Sequence, residues 1–296
     1  MPWNNLLHSK YLVGVYMARE LEKIVVRDKN TTYCYNPSIL GDEMTASDLA
    51  SMFDVDAYRK ANKVLKVFRG RGETYLVADK EDRHFIIRHY WRGGFIGKYL
   101  KDRFLSVFGD ANRAEQEFNI LTVMLKIGLP VPKPVVSRMV KNSIYCRNDI
   151  IVQEIQGARS LFDALRDRGT EDFKETDGLT RHITIEDEEV IKIGQCIGMM
   201  LASGVYHSDL NIHNILIDGA KNPWIIDFDK CSLCTITPRR YKKIVDRLVR
   251  SIDKEKMLHK GLKWSNKRTE LLLDVIAKAF NANAVKKDIL VGAYAQ

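Results

Sequence analysis

No apolar run in this 296-residue sequence approaches the ~20 residues that a membrane-spanning helix needs. A short apolar stretch near the start, Tyr11 to Ala18, follows Lys10 faintly in the manner of a secretory leader. It lacks a small-residue cleavage site, however, and runs straight into Arg19-Glu20-Leu21-Glu22-Lys23. Cysteine is sparse too. The five (Cys34, Cys146, Cys196, Cys231, Cys234) are odd in number and scattered, which argues against a disulfide framework and for a reducing compartment. Cys231 and Cys234 form a C-x-x-C with no second Cys pair to complete a zinc site, so loop cysteines are the plainer reading. The chain therefore reads as cytosolic. At 45% hydrophobic and 29% charged residues it is no disordered segment, and its length suits one bilobal enzyme or two modest domains.

Acidic residues are also in short supply, 38 against 47 basic ones, leaving a net charge of +9 that favours acidic partners. The surplus is local. Between Arg239 and Arg268 stand twelve Lys/Arg and three Asp/Glu. Nucleic acid, anionic lipid and a polyanionic substrate all fit such a surplus, but no recognisable nucleic-acid-reading motif accompanies it, so no nucleic-acid partner is expected. Tyr241, Ile244, Val245, Leu248 and Ile252 fall at helical spacing within it, predicting a core helix with a basic face that is either solvated or laid along an anionic membrane.

The most informative stretch runs from Tyr206 to Lys230. Asp209 and Asn214 are five apart, between apolar residues, and a second apolar run ends at Asp227-Phe228-Asp229. Any one of these residues alone is an ordinary turn residue. Together they match the protein-kinase pattern of catalytic Asp, metal-binding Asn and metal-binding Asp. Phosphoryl transfer needs these parts: a carboxylate to take the acceptor's proton, and oxygen ligands to hold Mg²⁺ on the phosphates of ATP. Asp209 is thus the expected base, with Asn214 and Asp227 the expected Mg²⁺ ligands. Three features depart from protein kinases. Ser208 replaces the Arg before the catalytic Asp, Asp229 replaces a Gly, and no Ala-Pro-Glu follows. Without that Arg, a phosphorylated activation loop lacks its usual internal partner. The departures point to a constitutively active kinase of small molecules or glycolipids, with Asn211 and His213 as candidate substrate contacts.

Upstream, Val25, Tyr33 and Tyr35 are expected in a first strand or hairpin, and Asn36-Pro37 and Gly41-Asp42 in turns. Thr45 to Asp48 should cap a helix through Met52 and Tyr58. Two β-type segments flank Gly70-Arg71-Gly72, predicting a hairpin whose backbone N–H groups cover the ATP phosphates. The next strand, His84 to Tyr90, carries Arg88 where kinases place a phosphate-binding Lys; a guanidinium serves the same purpose bidentately. Its partner should lie on a helix from about 110 to 127, with Glu117 the first choice and Glu115 the second. That helix should stop at Gly128, before a proline-rich stretch. Glu154 opens a hinge (Glu154-Ile155-Gln156-Gly157-Ala158) expected to hold adenine through its backbone. The arm from Arg92 to Arg103 mixes aromatics, glycines and basic residues, and Arg92 and Lys98 are the expected grip on an anionic, partly apolar acceptor.

These pieces together resemble the lipopolysaccharide core kinases, in particular the 3-deoxy-D-manno-octulosonic acid (Kdo) kinases. The resemblance rests on Ile87-Arg88-His89-Tyr90-Trp91-Arg92-Gly93-Gly94, on Gly128 to Pro134, on His207 to Leu216 and on Ile226 to Cys231, and spans about Phe53 to Lys254. It implies an α+β, protein-kinase-like bilobal fold, with a small β-rich N-lobe (1–153) and a larger, mostly helical C-lobe (154–296). It also implies ATP-dependent phosphorylation of the Kdo 4-hydroxyl on a lipid A precursor, by a peripheral protein on the cytoplasmic side of the bacterial inner membrane. Two other readings stay open from the residues alone: a related kinase of another acceptor, and a non-catalytic binder using the basic surplus. Oligomeric state is not readable from the residues.

Overall fold

The computed structural model describes residues 23–69, 72–91, 104–105, 112–142, 145–166 and 185–284. They form two compact units. One takes in the described residues up to Lys126 together with Lys133–Glu154; the other takes in Ile127–Pro132 and the described residues from Ile155 onward. The division places 127–132 in the second unit, and Glu154 in the first, which differs from a single cut at 153/154. The Ile225 N–H donates to the Pro130 carbonyl at 3.0 Å, joining this short stretch to the second unit.

The first unit is built on an antiparallel sheet. Its strands are β1 (Ile24–Asp28), β2 (Thr31–Tyr35), β3 (Val64–Arg69), β4 (Glu73–Ala78), β5 (His84–His89), the two-residue β6 (Phe104–Leu105), β7 (Pro134–Asn142) and β8 (Tyr145–Gln153). The order is β1-β2-β7-β8-β5-β4-β3, with β6 beside β8. Three short helices connect β2 to β3. The expected turn at Asn36-Pro37 is instead the start of α1 (Pro37–Leu40), because the Asn36 side chain accepts from the Ser38 N–H at 3.0 Å. The single helix expected from Thr45 to Tyr58 is two. Thr45 and Asp48 form a capping box for α2 (Ala46–Ser51), and Asp54 starts a new helix, α3 (Val55–Lys60), by accepting from the Ala57 N–H. Leu49 and Phe53 from this region pack with Tyr33, Tyr35, Val77, Phe85, Ile87, Val135, Val136 and Ile151 into one apolar core. Burying such side chains stabilises by about 1.5–3 kcal/mol each.

Helix α4 (Arg113–Lys126) buries Phe118, Leu121 and Met124, the spacing expected for one apolar face. Asp149 of β8 is buried as well. Burial pushes its carboxyl up, but the His89 hydrogen bond and the Arg138 guanidinium outweigh that and hold it below the usual carboxylate range.

In the second unit, α5 (Leu161–Leu165) follows the short strand β9 (Arg159–Ser160), and Ser160 caps it. The buried helix leading to the Tyr206 loop, α6 (Asp187–Ala202), starts where Glu186 and Glu189 form its capping box, and three acids suit the positive helix end. Strands β10 (Val205–Tyr206), β11 (Ile215–Ile217), β12 (Pro223–Ile225) and β13 (Ser232–Leu233) make two small sheets: β10 with β13, and β12-β11-β9. Helices α7 (Pro238–Leu258) and α8 (Asn266–Ala284) complete the unit. Gly194 and Gly198 let α8 approach α6 closely; a Cβ at Gly198 would lie only 2.7 Å from the Ile276 carbonyl oxygen. Among the described residues no helix is long and apolar enough to cross a membrane.

Candidate active site

The segment from Tyr206 to Asp227 is a loop shaped by its own side chains. The Asp209 carbonyl accepts from the Asn211 amide at 2.8 Å and from the Asn214 amide at 2.9 Å. Asn211 uses its other end as well, its oxygen accepting from the His213 N–H at 2.9 Å, so the geometry gives Asn211 a loop-shaping part. A 3-10 turn over Ile212–Asn214 then feeds β11. Antiparallel pairing of β11 with β12 sets Ile215 opposite Ile225, and the Ile226 N–H donates to the Asn214 carbonyl at 3.0 Å. That register brings Asn214 and Asp227, thirteen positions apart in sequence, to one end of the hairpin. The amide nitrogen of Asn214 being committed, its oxygen is the end available as a ligand. An amide oxygen and a carboxylate are both hard donors, of the kind that Mg²⁺ takes. Asp227 sits at φ 64°, a left-handed conformation that Asp tolerates better than most residues.

His207 ties the two loops together. It is fully buried; its Nδ1 accepts from the Asp209 N–H at 3.3 Å, so the proton sits on Nε2, which donates to the Ile226 carbonyl at 3.1 Å. Burial lowers its pKa and keeps it neutral. The ring also lies 5.1 Å from that of Phe228. One imidazole thus links the backbone of the expected base to the backbone just before the expected metal ligand. From the sequence it looked like an ordinary histidine; only the hydrogen bonds reveal its place.

Helix α7 supports the same loop from one side. Lys243, Arg247, Ser251 and Glu255 recur every four residues and so form a row along the helix. Lys243 stands over the Tyr206 ring, Arg247 pairs with the Asp209 carboxylate, Ser251 accepts from the Ile212 N–H at 3.0 Å, and Glu255 meets His213 at 3.3 Å. The His213 ring also lies against Phe162, 4.8 Å between centroids. The sequence showed the core face of this helix but not which flank meets the loop.

In the first unit, Arg88 of β5 pairs with Glu117 of α4, the partner chosen first from sequence, and the Tyr90 hydroxyl donates to the same buried carboxylate. Glu115 instead pairs with Lys23 at 3.1 Å. Arg88 lies opposite Thr74, two residues from Gly72. A side chain at Gly72 would overlap the Trp91 indole, whose buried Nε1–H has no hydrogen-bond partner among the described residues. Glu154 is held by His84, at 2.8 Å. Gly70, Arg71, Arg92 and Lys98 lie outside the described residues. Cys231 and Cys234 flank β13; among the described residues no three His, Cys, Asp or Glu converge on a metal position.

Known proteins resemble this chain over most of its length. Curated relatives include three proteins named 3-deoxy-D-manno-octulosonic acid kinase. That from Vibrio parahaemolyticus is 32% identical over 85% of this chain and 96% of its own length. Those from Vibrio cholerae (33%; 76% and 88%) and Haemophilus influenzae (30%; 73% and 86%) are similar too. Among solved structures, a MAP kinase from Leishmania major aligns at 17% identity with a TM-score of 0.39, covering 61% of this chain and 51% of that one. Residues 56–273 match the family described as "Lipopolysaccharide kinase (Kdo/WaaP) family", and with that match taking in well over half of its 296 residues, the chain belongs to this family of kinases.

Proposed function

We propose that the protein is an ATP-dependent kinase that phosphorylates the 4-hydroxyl of Kdo on a Kdo-lipid A precursor. The observation that carries the reading is the joining of Asp209, Asn214 and the Asp227 loop through His207 and the β11–β12 register, in a chain of the Kdo/WaaP family. The names of the curated relatives support the choice of Kdo as acceptor. In this reading the Asp209 carboxylate takes the proton of the acceptor hydroxyl as that oxygen bonds to the γ-phosphorus. The bond from phosphorus to the β–γ bridging oxygen breaks, and ADP leaves with its electron pair. Asn214 and Asp227 would hold Mg²⁺, which neutralises phosphate charge when bound. Arg88, oriented by Glu117, would engage the ATP phosphates beside the glycine hairpin.

The acceptor is amphiphilic, and the proposed place of action is the cytoplasmic surface of the bacterial inner membrane. The basic face of α7 supports that placement: Arg239, Arg240, Lys243, Arg247, Arg250 and Lys254 fall within one strip at 100° per residue. Each cation near an anionic surface contributes about 1 kcal/mol. Mass spectrometry of Kdo-lipid A precursor incubated with enzyme and ATP tests the reading. The expected result is a gain of one phosphate on the sugar, absent with Asp209→Asn. Transfer to a core heptose or to protein, with the Kdo acceptor untouched, would overturn it.

A further inference from the structure

The pairing of Arg247 with Asp209 poses a chemical problem. A guanidinium that donates to one oxygen of the carboxylate holds part of its proton-accepting capacity, and competes there with the acceptor's hydroxyl. The pair is exposed, however, with side chains 48% and 41% accessible. Exposed ion pairs of this kind hold by only about 0–1 kcal/mol, so this one is readily exchanged. The helix itself stays put, since Ile244, Val245, Leu248 and Ile252 are buried and Ser251 holds the Ile212 N–H. Arg247 therefore has one freedom, to re-aim its side chain. Its neighbours on the exposed strip of α7, Lys243, Arg250 and Lys254, are all cations, so a second anion is the destination that the surroundings favour.

We infer that Arg247 is an acceptor-binding residue: its guanidinium, held by Asp209 when no acceptor is bound, transfers to an anionic group of the acceptor and thereby frees the base. This rests on the proposed function, whose acceptor carries two kinds of anion, the sugar carboxylate and the lipid phosphates. Coupling the two events would make base release depend on the acceptor's charge, so that a neutral hydroxyl, water included, leaves Asp209 occupied.

The test compares wild type, Arg247→Met and Arg247→Lys on three acceptors: Kdo-lipid A precursor, its carboxylate methyl ester, and its dephosphorylated form. Wild-type turnover comes first. If wild type phosphorylates no Kdo acceptor, the proposed function fails, and this inference with it. If it does, Arg247→Met should raise the KM for the intact acceptor by about 10- to 100-fold, as expected for a hydrogen bond to a charged group. The KM for ATP should stay within about twofold, Arg247→Lys should recover part of the loss, and thermal melting should be unchanged. Esterification should harm wild type but not Arg247→Met if the carboxylate is the ligand; dephosphorylation should do so if it is a phosphate. A fall in kcat with acceptor KM unchanged, and equal on all three acceptors, would make Arg247 a support for Asp209 only. A raised KM for ATP with the acceptor KM held would assign it to the γ-phosphate. Either outcome would overturn the inference.

Discussion

Replacing His207 by Phe tests the link between the two loops most directly. The substitution keeps an aromatic ring beside Phe228 but removes both hydrogen bonds, leaving the Ile226 carbonyl and the Asp209 N–H unmatched around a fully buried side chain. An unmatched buried polar group costs about 1–3 kcal/mol. The 3.3 Å bond is the weaker, and the added apolar burial returns about 1 kcal/mol, so a net loss of about 1–3 kcal/mol is expected. Turnover should fall by about 10²-fold, because Asp209 and Asp227 both lose their positioning. His207→Gln, whose amide can donate to the Ile226 carbonyl, should recover part of each. The pH dependence gives a second reading. Burial depresses the folded pKa below the ordinary 6.5, so below that pH the unfolded chain binds more protons than the folded one. Stability from this group is therefore complete above pH 6.5 and declines as pH falls below it, by up to about 1.4 kcal/mol per unit, and His207→Phe should lose that slope. Urea unfolding across pH 5–8, with kcat measured in parallel, reads all three. A His207→Phe variant of wild-type stability and turnover would refute the linking role.

Four further outcomes are expected. Glu117→Gln breaks a pair whose removal costs ~3–5 kcal/mol when fully buried; with Arg88 26% exposed and able to turn to water, about 2–3 kcal/mol is expected by chemical unfolding, with a raised KM for ATP. Gly72→Ala should weaken ATP binding by displacing the Trp91 indole, and adding Trp91→Leu should restore it; titration of a nucleotide analogue would show both. Arg92→Glu or Lys98→Glu should raise the KM for the lipid acceptor and barely move that for ATP; the reverse pattern in steady-state kinetics would assign the arm to the nucleotide. Membrane association should be released by high salt, because charges beyond ~10 Å are screened at 0.1 M; retention until detergent is added in a flotation assay would contradict the electrostatic reading.

The parts legible in the sequence are those set by local rules. Asp209, Asn214 and Asp227 stood out because a five-residue interval and a flanking apolar hairpin are properties of contiguous chain. Glu117 was legible because the strand carrying Arg88 calls for an acidic partner on the helix that follows, and Glu117 lies there, on the buried face with Leu121 and Met124. Thr45 announced its helix because a cap is made within three residues. What sequence could not show were decisions taken between distant segments. Asp54 restarts a helix that propensity would have continued, and Phe53, just before it, joins the sheet core. Residues 127–132 go with the second unit through a bond to Ile225, nearly a hundred positions away. The parts played by His207 and Arg247 likewise depend on partners brought close by tertiary packing. A periodic pattern reports which side of an element avoids water; which atoms then meet, and hence which hydrogen bonds and charges shape the chemistry, is settled only when the elements pack.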